Sequence, residues 1–436
     1  AAGRSLLVDC GLFQGLKALR LRNWAPLPVS PKAIDGVLLT HAHLDHSGYL
    51  PVLVKHGFAG PVHASSGTHD LCRILLADAG HLQEEEARFA NRHRFSRHAV
   101  ALPLYTRQEA LAAMKSFAPV RFAHTTVIAG TFSATLHPAG HLLGAATATV
   151  DVAGRRLVFS GDLGRQADLI MRPPTAIESA DYLVVESTYG NRLHAMGDPA
   201  ADAETILGAT ITRTAARGGV VIIPAFAVGR AQALLYLLWR LQQRGAIPRV
   251  PIYLNSPMAA DATRLYLQHA AEHRLSGEQC RAAFSVAQIV RTPQDSEALN
   301  TRNGPMIIIS ASGMATGGRV LHHLRAFAPD ARNAIVLPGF QAAGTRGASI
   351  EAGAEAIKIH GQYVPVRAEV VKIDGLSAHA DYREILAWLG AFRQPPRHTF
   401  ITHGEPAAAD ELRRRIEETL GWRVSVPDYC DRVELD

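Results

Sequence analysis

Cysteine is scarce in this 436-residue chain: four residues, at positions 10, 72, 280 and 430. They are too few and too scattered for a disulfide framework or a CxxC zinc knot, so the cytoplasm is the expected compartment. No basic segment followed by an apolar one opens the chain, which argues against a signal peptide. There is no short-period repeat and no low-complexity tract. Long apolar runs are missing too, apart from Phe122 to Val150, a stretch without Asp, Glu, Lys or Arg. That stretch holds His124, His137, Pro138 and His141 with several Gly and Thr, which lipid tolerates badly, so no membrane association is expected. Acidic residues fall short of basic ones, 39 against 45, a net +6. This permits a polyanionic partner, yet a solvated basic surface explains it as well. What the chain does have is 47% apolar and 19% charged residues, enough for a sizeable core, and a length that suggests two to three domain units. It also has 21 histidines.

Short apolar runs alternate with helical patterns, the signature of an α/β architecture. The runs include Gly36–Thr40, Arg156–Ser160, Tyr182–Val185, Val220–Ile223, Met306–Ile309 and Thr399–Thr402. Helical periodicity marks Arg230–Gln242, Val320–Phe327 and Tyr382–Phe392, and the charged segment Glu84–His98 reads as a solvated helix or loop. Four of the runs lead to His41, Asp162, Glu186 and His403. The carboxyl ends of strands in α/β sheets form the crevice where ligands sit, so these four residues are expected at one edge.

His41-Ala42-His43-Leu44-Asp45-His46 is the most specific motif. A single core histidine is usually structural. Three with an aspartate inside six residues would repel one another when protonated, and a cation relieves that. His41 and His43, two apart in extended chain, point the same way. Asp45 and His46 open a helix and can face a second ion. Imidazole with carboxylate favours Zn²⁺ over Mg²⁺.

With this HxHxDH signature the chain resembles the metallo-β-lactamase superfamily, and the resemblance continues through His141 in HPAGHLLGA, Asp162 in FSGDLG and His403 in ITHGE. It implies two Zn²⁺ per chain: one held by His41, His43 and His141, the other by Asp45, His46 and His403, with Asp162 bridging. Asp9, in LLVDCG, is implied as a structural support behind the ligands. The 240 residues between Asp162 and His403 exceed what a lactamase-like hydrolase needs. Their markers resemble the β-CASP nucleases: Glu186 in ESTYGNR, His379 in SAHAD and His403 as the third motif, with IIPAFAVGRAQALLYLL, YLNSPMA, ISASGMATGGR and GTRG around them. The nearest pattern is that of bacterial and archaeal homologues of the nuclease subunit that cuts pre-mRNA 3′ ends. A histidine at the third motif goes with the RNA-processing members. The resemblance departs at the start, where only Ala1–Ser5 precede a strand that relatives reach after further strands; either those strands are missing or numbering begins inside the native protein.

The implied fold is an αββα metallo-β-lactamase sandwich with an inserted α/β β-CASP domain: residues 1–190, then the insert 191–375, then the return 376–436. The implied activity is a zinc-dependent ribonuclease acting on single-stranded RNA, with His379, Glu186 and Asp45 as catalytic residues. Two metals about 3.5–4 Å apart can activate water and clamp the oxygens of an in-line phosphoryl displacement. His379 is then the proton donor to the leaving oxygen, oriented by Glu186, and the products are a 5′-phosphate and a 3′-hydroxyl. Each of these two residues taken alone also reads as ordinary structure, a strand-end ion pair or a helix-terminal histidine. Glycine-rich turns between strand and helix suit phosphate, which nominates Ser312, Gly317, Gly318 and Arg319, then Arg230, and more weakly Arg346. A homodimer is left open. Two rival functions are carried: a catalytically silent RNA-binding subunit, and a small-molecule ester or thioester metallohydrolase.

Overall fold

The protein is described by a computed structural model covering residues 1–93, 99–194 and 199–436. It divides into two compact units, Ala1–Leu193 with His379–Asp436, and His194–Ala378.

The first unit contains two sheets. One is four-stranded and wholly parallel, in the order Leu6–Val8, Gly36–Leu38, Val62–Ser65, Phe117–Val120. The other is seven-stranded and mixed. Its order is Val424–Ser425, His398–Thr402, Tyr182–Glu186, Arg155–Phe159, Ala146–Val152, Phe132–Pro138, Thr126–Ile128. The first four of these run parallel, and the last three add antiparallel ladders. Leu38 of the first sheet packs with Ile128, Phe132, Leu136 and Val150 of the second, closing the sandwich. Helices Tyr382–Leu389 and Pro406–Leu420 pack Ile385, Trp388, Leu412 and Ile416 against Val158, Leu183 and Ile401 of the second sheet. Helix Ser66–His93 contacts the first sheet. This is the expected αββα layering.

The uncharged stretch Phe122 to Val150 holds two of these strands and most of a third, Ala146–Val152. In Phe132–Pro138 residues alternate between buried and half-buried, as a sheet with one apolar face requires. No helix among the described residues is long and apolar enough to cross a membrane. Of the charged segment Glu84–His98, residues up to His93 end the long helix; 94–98 lie outside the described residues.

The second unit is a six-stranded, all-parallel sheet in the order Gln288–Ile289, Ile252–Asn255, Met306–Ser310, Val220–Pro224, Ala334–Pro338, Glu369–Ile373. Val220–Pro224, Met306–Ser310 and Ala334–Pro338 are buried at every residue, because helices cover a parallel sheet on both faces. A hairpin, Ala356–Ile359 with Gln362–Pro365, packs Ile357, Ile359 and Val364 into the same core. Helices occur at Arg230–Gln243 and Val320–Phe327 as the periodicity predicts. The helix expected to reach Phe392 stops at Leu389, with Gly390 as its C-cap and Pro395–Pro396 following.

Candidate metal centre and active site

Every residue of this site lies in the first unit, and most follow strand ends. Leu38, Phe159 and Thr402 end strands that lead to His41, Asp162 and His403, and Glu186 is itself the last residue of its strand. His141 sits in the loop between Phe132–Pro138 and Ala146–Val152. Gly144 in that loop has φ +80°, and a Cβ there would lie 2.1 Å from the Thr68 nitrogen. Only glycine allows this approach.

Four donor atoms converge first. His43 Nδ1 lies 3.2 Å from His41 Nε2 and 3.2 Å from His141 Nε2. Asp162 Oδ2 lies 3.3 Å from His41 Nε2 and 3.4 Å from His141 Nε2. Ligands about 2.0–2.1 Å from one tetrahedral ion stand roughly 3.3–3.4 Å apart, so these four spacings match four of the six edges of a metal-sized tetrahedron. A second group forms beside it. His46 Nε2 is 3.0 Å from His403 Nε2, and His403 Nε2 is 3.4 Å from Asp45 Oδ2. Asp162 turns its other oxygen, Oδ1, to this group, 3.3 Å from His46 Nε2. That oxygen is buried and accepts no hydrogen bond. One carboxylate thus faces both groups with one oxygen each, and the donor set fits a pair of divalent ions.

Residues behind the ligands set their tautomers. Asp9, at φ +59°, accepts from the Thr40 N–H (2.7 Å) and the Thr40 hydroxyl (2.8 Å) through its two oxygens. Its Oδ2 also accepts from His46 Nδ1 at 2.7 Å. With its proton given to Asp9, the Thr40 hydroxyl accepts from His41 Nδ1 at 3.1 Å. Thr188 Oγ1 donates to the His403 carbonyl (3.2 Å) and accepts from His403 Nδ1 (3.0 Å). His41, His46 and His403 therefore all turn an Nε2 lone pair inward. Asp9 was expected in this place. Thr40 and Thr188 were missed; only their positions next to His41 and inside ESTYGNR pointed to them.

The electrostatics call for positive charge. Burial, then the charge of His46, pushes the His41 pKa down; burial, then His41, takes His43 down to about 3. Burial, then His379, lowers His141. All three are held in the neutral form that metals bind. For Asp162 burial acts upward, but His403, His46 and His41 outweigh it and hold the carboxyl well below its usual range. At His46 and His403 burial acts downward and is overcome, chiefly by Asp162, which raises His46 well above its ordinary value and His403 to about 9. Divalent ions would displace those protons.

Alongside lies a histidine–glutamate pair. His379 Nδ1 is 3.2 Å from Glu186 Oε2 and 3.9 Å from Asp162 Oδ2. Glu186, almost fully buried, is fixed by the backbone N–H groups of Leu163 (2.6 Å) and Thr188 (3.2 Å). Tyr189 stacks over the His379 ring at 6.2 Å and 17°. Burial pushes the His379 pKa down, but Glu186 and then Asp162 leave it raised.

The residues nominated for phosphate contact belong to the second unit. Arg319 donates to Asn255 Oδ1 (2.9 Å) and to the carbonyls of Val290 (3.1 Å) and Arg291 (2.7 Å). Arg346 donates to the carbonyls of Lys358 (2.6 Å), Ala315 (3.2 Å) and Thr316 (3.0 Å). The Ser312 hydroxyl accepts from Thr316 N–H at 3.0 Å and closes the loop carrying Gly317 and Gly318. Arg230 opens its helix with its guanidinium against Gly339. Ser312 and Arg346 thus hold the loop from Ser312 to Gly317, while Arg319 ties it to Asn255, Val290 and Arg291.

Such a pair of donor groups on an αββα sandwich is the site of a metal-dependent hydrolase of the metallo-β-lactamase type. Comparison with known proteins agrees. The family model "Metallo-beta-lactamase superfamily" matches residues 1–202, "Beta-Casp domain" 231–350, and "Zn-dependent metallo-hydrolase RNA specificity domain" 363–427. Ribonuclease TTHA0252 of Thermus thermophilus is 37% identical across 100% of this chain and 95% of its own length. Two proteins called transcription termination factor FttA, from Methanosarcina mazei and Methanocaldococcus jannaschii, are each 30% identical over 99% of this chain and 68% of theirs. A solved structure titled as a protein of unknown function from Enterococcus faecalis V583 shares the fold at 14% identity and a TM-score of 0.50, covering 90% of this chain and 79% of that one. The chain belongs to the β-CASP family of the metallo-β-lactamase superfamily.

Proposed function

We propose that this chain is a zinc-dependent ribonuclease that hydrolyses phosphodiester bonds of single-stranded RNA, leaving a 5′-phosphate and a 3′-hydroxyl, with the inserted domain over 191–375. The observation that carries it is the Asp162 carboxylate facing two donor groups at once, with the Glu186-bound His379 beside it. His41, His43 and His141 would hold one Zn²⁺, and Asp45, His46 and His403 the other. Bound ions at such sites supply Lewis-acid charge and lower the pKa of water. Asp162 fixes the spacing of the two groups. His379 gives a proton from Nε2 to the departing 3′-oxygen, while Glu186 holds Nδ1 and favours the charged ring. Asp45, on the exposed side of the second group, would meet the reacting water as well as a metal. A relative named ribonuclease, similar over the whole chain, supports RNA as substrate.

A silent subunit would have lost donors, and all seven are assembled here. A small-molecule esterase would not need the β-CASP domain. The test is incubation with matched end-labelled single-stranded RNA and DNA. RNA should be cut to 5′-phosphate products, with DNA cut much more slowly and chelation stopping both. Equal rates on the two polymers would remove the RNA assignment.

A further inference from the structure

We propose that the segment Phe13–Trp24 is a stacking platform for bases of the single-stranded nucleic acid being cut, a site apart from the metal ligands. This rests on the nuclease reading above.

The segment is built unlike the rest of the unit. From Cys10 to Ile34 there is no acidic residue, while Lys17, Arg20, Arg22 and Lys32 bring four cations. The α-helix Lys17–Leu21 and the following 3-10 turn Arg22–Trp24 bury none of their residues. Trp24 is 61% exposed, and Leu16 and Leu21 are exposed beside it. Elements this short do not persist in water on propensity alone, so something must hold them. Two contacts do. The Asn23 side chain clasps Phe13, accepting from its N–H at 2.8 Å and donating to its carbonyl at 2.9 Å. The Arg22 guanidinium lies over the Tyr429 ring at 4.5 Å and the Phe13 ring at 5.5 Å, and the two rings meet edge to face at 5.6 Å. The result is a held turn that carries Phe13 against Tyr429 and leaves Trp24 exposed, in a segment whose own charges are all positive.

That turn is tied to the metal centre through the backbone. Cys10 N–H donates to the His46 carbonyl at 2.6 Å, Leu12 N–H to the Leu44 carbonyl at 2.8 Å, and Tyr49 N–H to the Cys10 carbonyl at 2.9 Å. Between them Gly11 lies so close that a Cβ would fall 1.5 Å from the Asp45 carbonyl oxygen. The platform therefore starts one residue beyond the chain that grips Asp45 and His46, in fixed register with both.

A strand of nucleic acid satisfies both halves of this surface. Its phosphates match the cations, and unpaired bases stack on an exposed ring whatever their sequence. A duplex keeps its base faces covered, and a neutral apolar protein surface would offer the cations no opposite charge. The occupant is thus the single strand on its way to the metals.

The experiment compares kcat/KM on a single-stranded RNA with kcat/KM on bis(p-nitrophenyl) phosphate, which carries no base, in the zinc-loaded protein. Trp24→Ala should lower the ratio about 5- to 100-fold, the usual worth of one aromatic stack, and Trp24→Phe should recover most of it. Lys17→Glu with Arg20→Glu, both fully surface changes, should raise KM for RNA and flatten its rise with salt. An unchanged ratio in Trp24→Ala, in protein that still cuts RNA, overturns the platform and leaves the nuclease reading standing. A dimer that Trp24→Ala converts to monomer overturns it as well, since the face would then join two copies. Wild-type protein that hydrolyses the small diester but not RNA removes the nuclease reading, and the platform with it.

Discussion

His379 and Asp162 carry different loads although their side chains lie 3.9 Å apart. Asp162 serves both donor groups, so Asp162→Ala should loosen two ions together. His379 is held by Glu186 and stands outside those two groups, though with Glu186 it also reaches Asp162; in the proposed mechanism its work is confined to the transition state. A general acid contributes about 10²–10⁴-fold to rate. His379→Ala should therefore keep its zinc and its RNA affinity while cleavage falls within that range. Glu186→Gln should fall less, because it misorients the ring without removing it. His403→Ala should cost zinc as well as activity. Metal analysis alongside single-turnover kinetics checks all three, and loss of a zinc ion from His379→Ala would make His379 a ligand. At this scale the donors were legible because HxHxDH packs four of them into six residues, and because His141, Asp162 and His403 recur in recognisable strings. The hydroxyls of Thr40 and Thr188 were not, since a threonine's role depends on which carboxylate or imidazole the fold brings to it. Arg319 and Arg346 show the converse. A glycine-rich turn tells that an arginine follows, but not that its guanidinium turns inward to carbonyl oxygens.

Among the elements, the parallel strands of the second unit were the most legible, because burial on both faces demands unbroken apolar runs such as MIII and VVII. Helix ends were less so: apolar periodicity runs on to Phe392, but Gly390 caps the helix at Leu389. The helix Val320–Phe327 hides a polar network that periodicity could not show. Its His323, fully buried, donates from Nδ1 to Asn300 Oδ1 at 2.7 Å and accepts at Nε2 from Asn255 Nδ2 at 2.6 Å. Burial, then His322 and Arg319, takes its pKa from 6.5 down to about 4. The unfolded chain thus takes up this proton first. The stability it contributes is complete above the unfolded value and lost as pH falls through the folded one, about 3 kcal/mol in all and roughly 2 kcal/mol of it between pH 7 and pH 5. Thermal unfolding should show a steeper fall in Tm over that interval for the wild type than for His323→Gln. Parallel falls would mean the imidazole does not titrate in the network.

Over the whole molecule, the return of the chain from the second unit completes the site. The stretch matched by the RNA specificity domain, 363–427, gives Glu369–Ile373 to the edge of the second unit's sheet, then His379 and His403 to the first unit. This order was legible only through resemblance, for periodicity reveals strands but not that a sheet begun before residue 190 is finished after residue 398. The active centre therefore depends on residues 357 positions apart, His46 and His403, meeting at 3.0 Å. Ligands so distant in sequence assemble only in the folded chain, and that makes metal stoichiometry the most direct probe of the account. Metal-free protein should be titrated with Zn²⁺ while single-stranded RNA cleavage is followed. Cleavage should rise from near zero and level off at two ions per chain. Full activity in the metal-free protein, or a plateau at one ion, would contradict it.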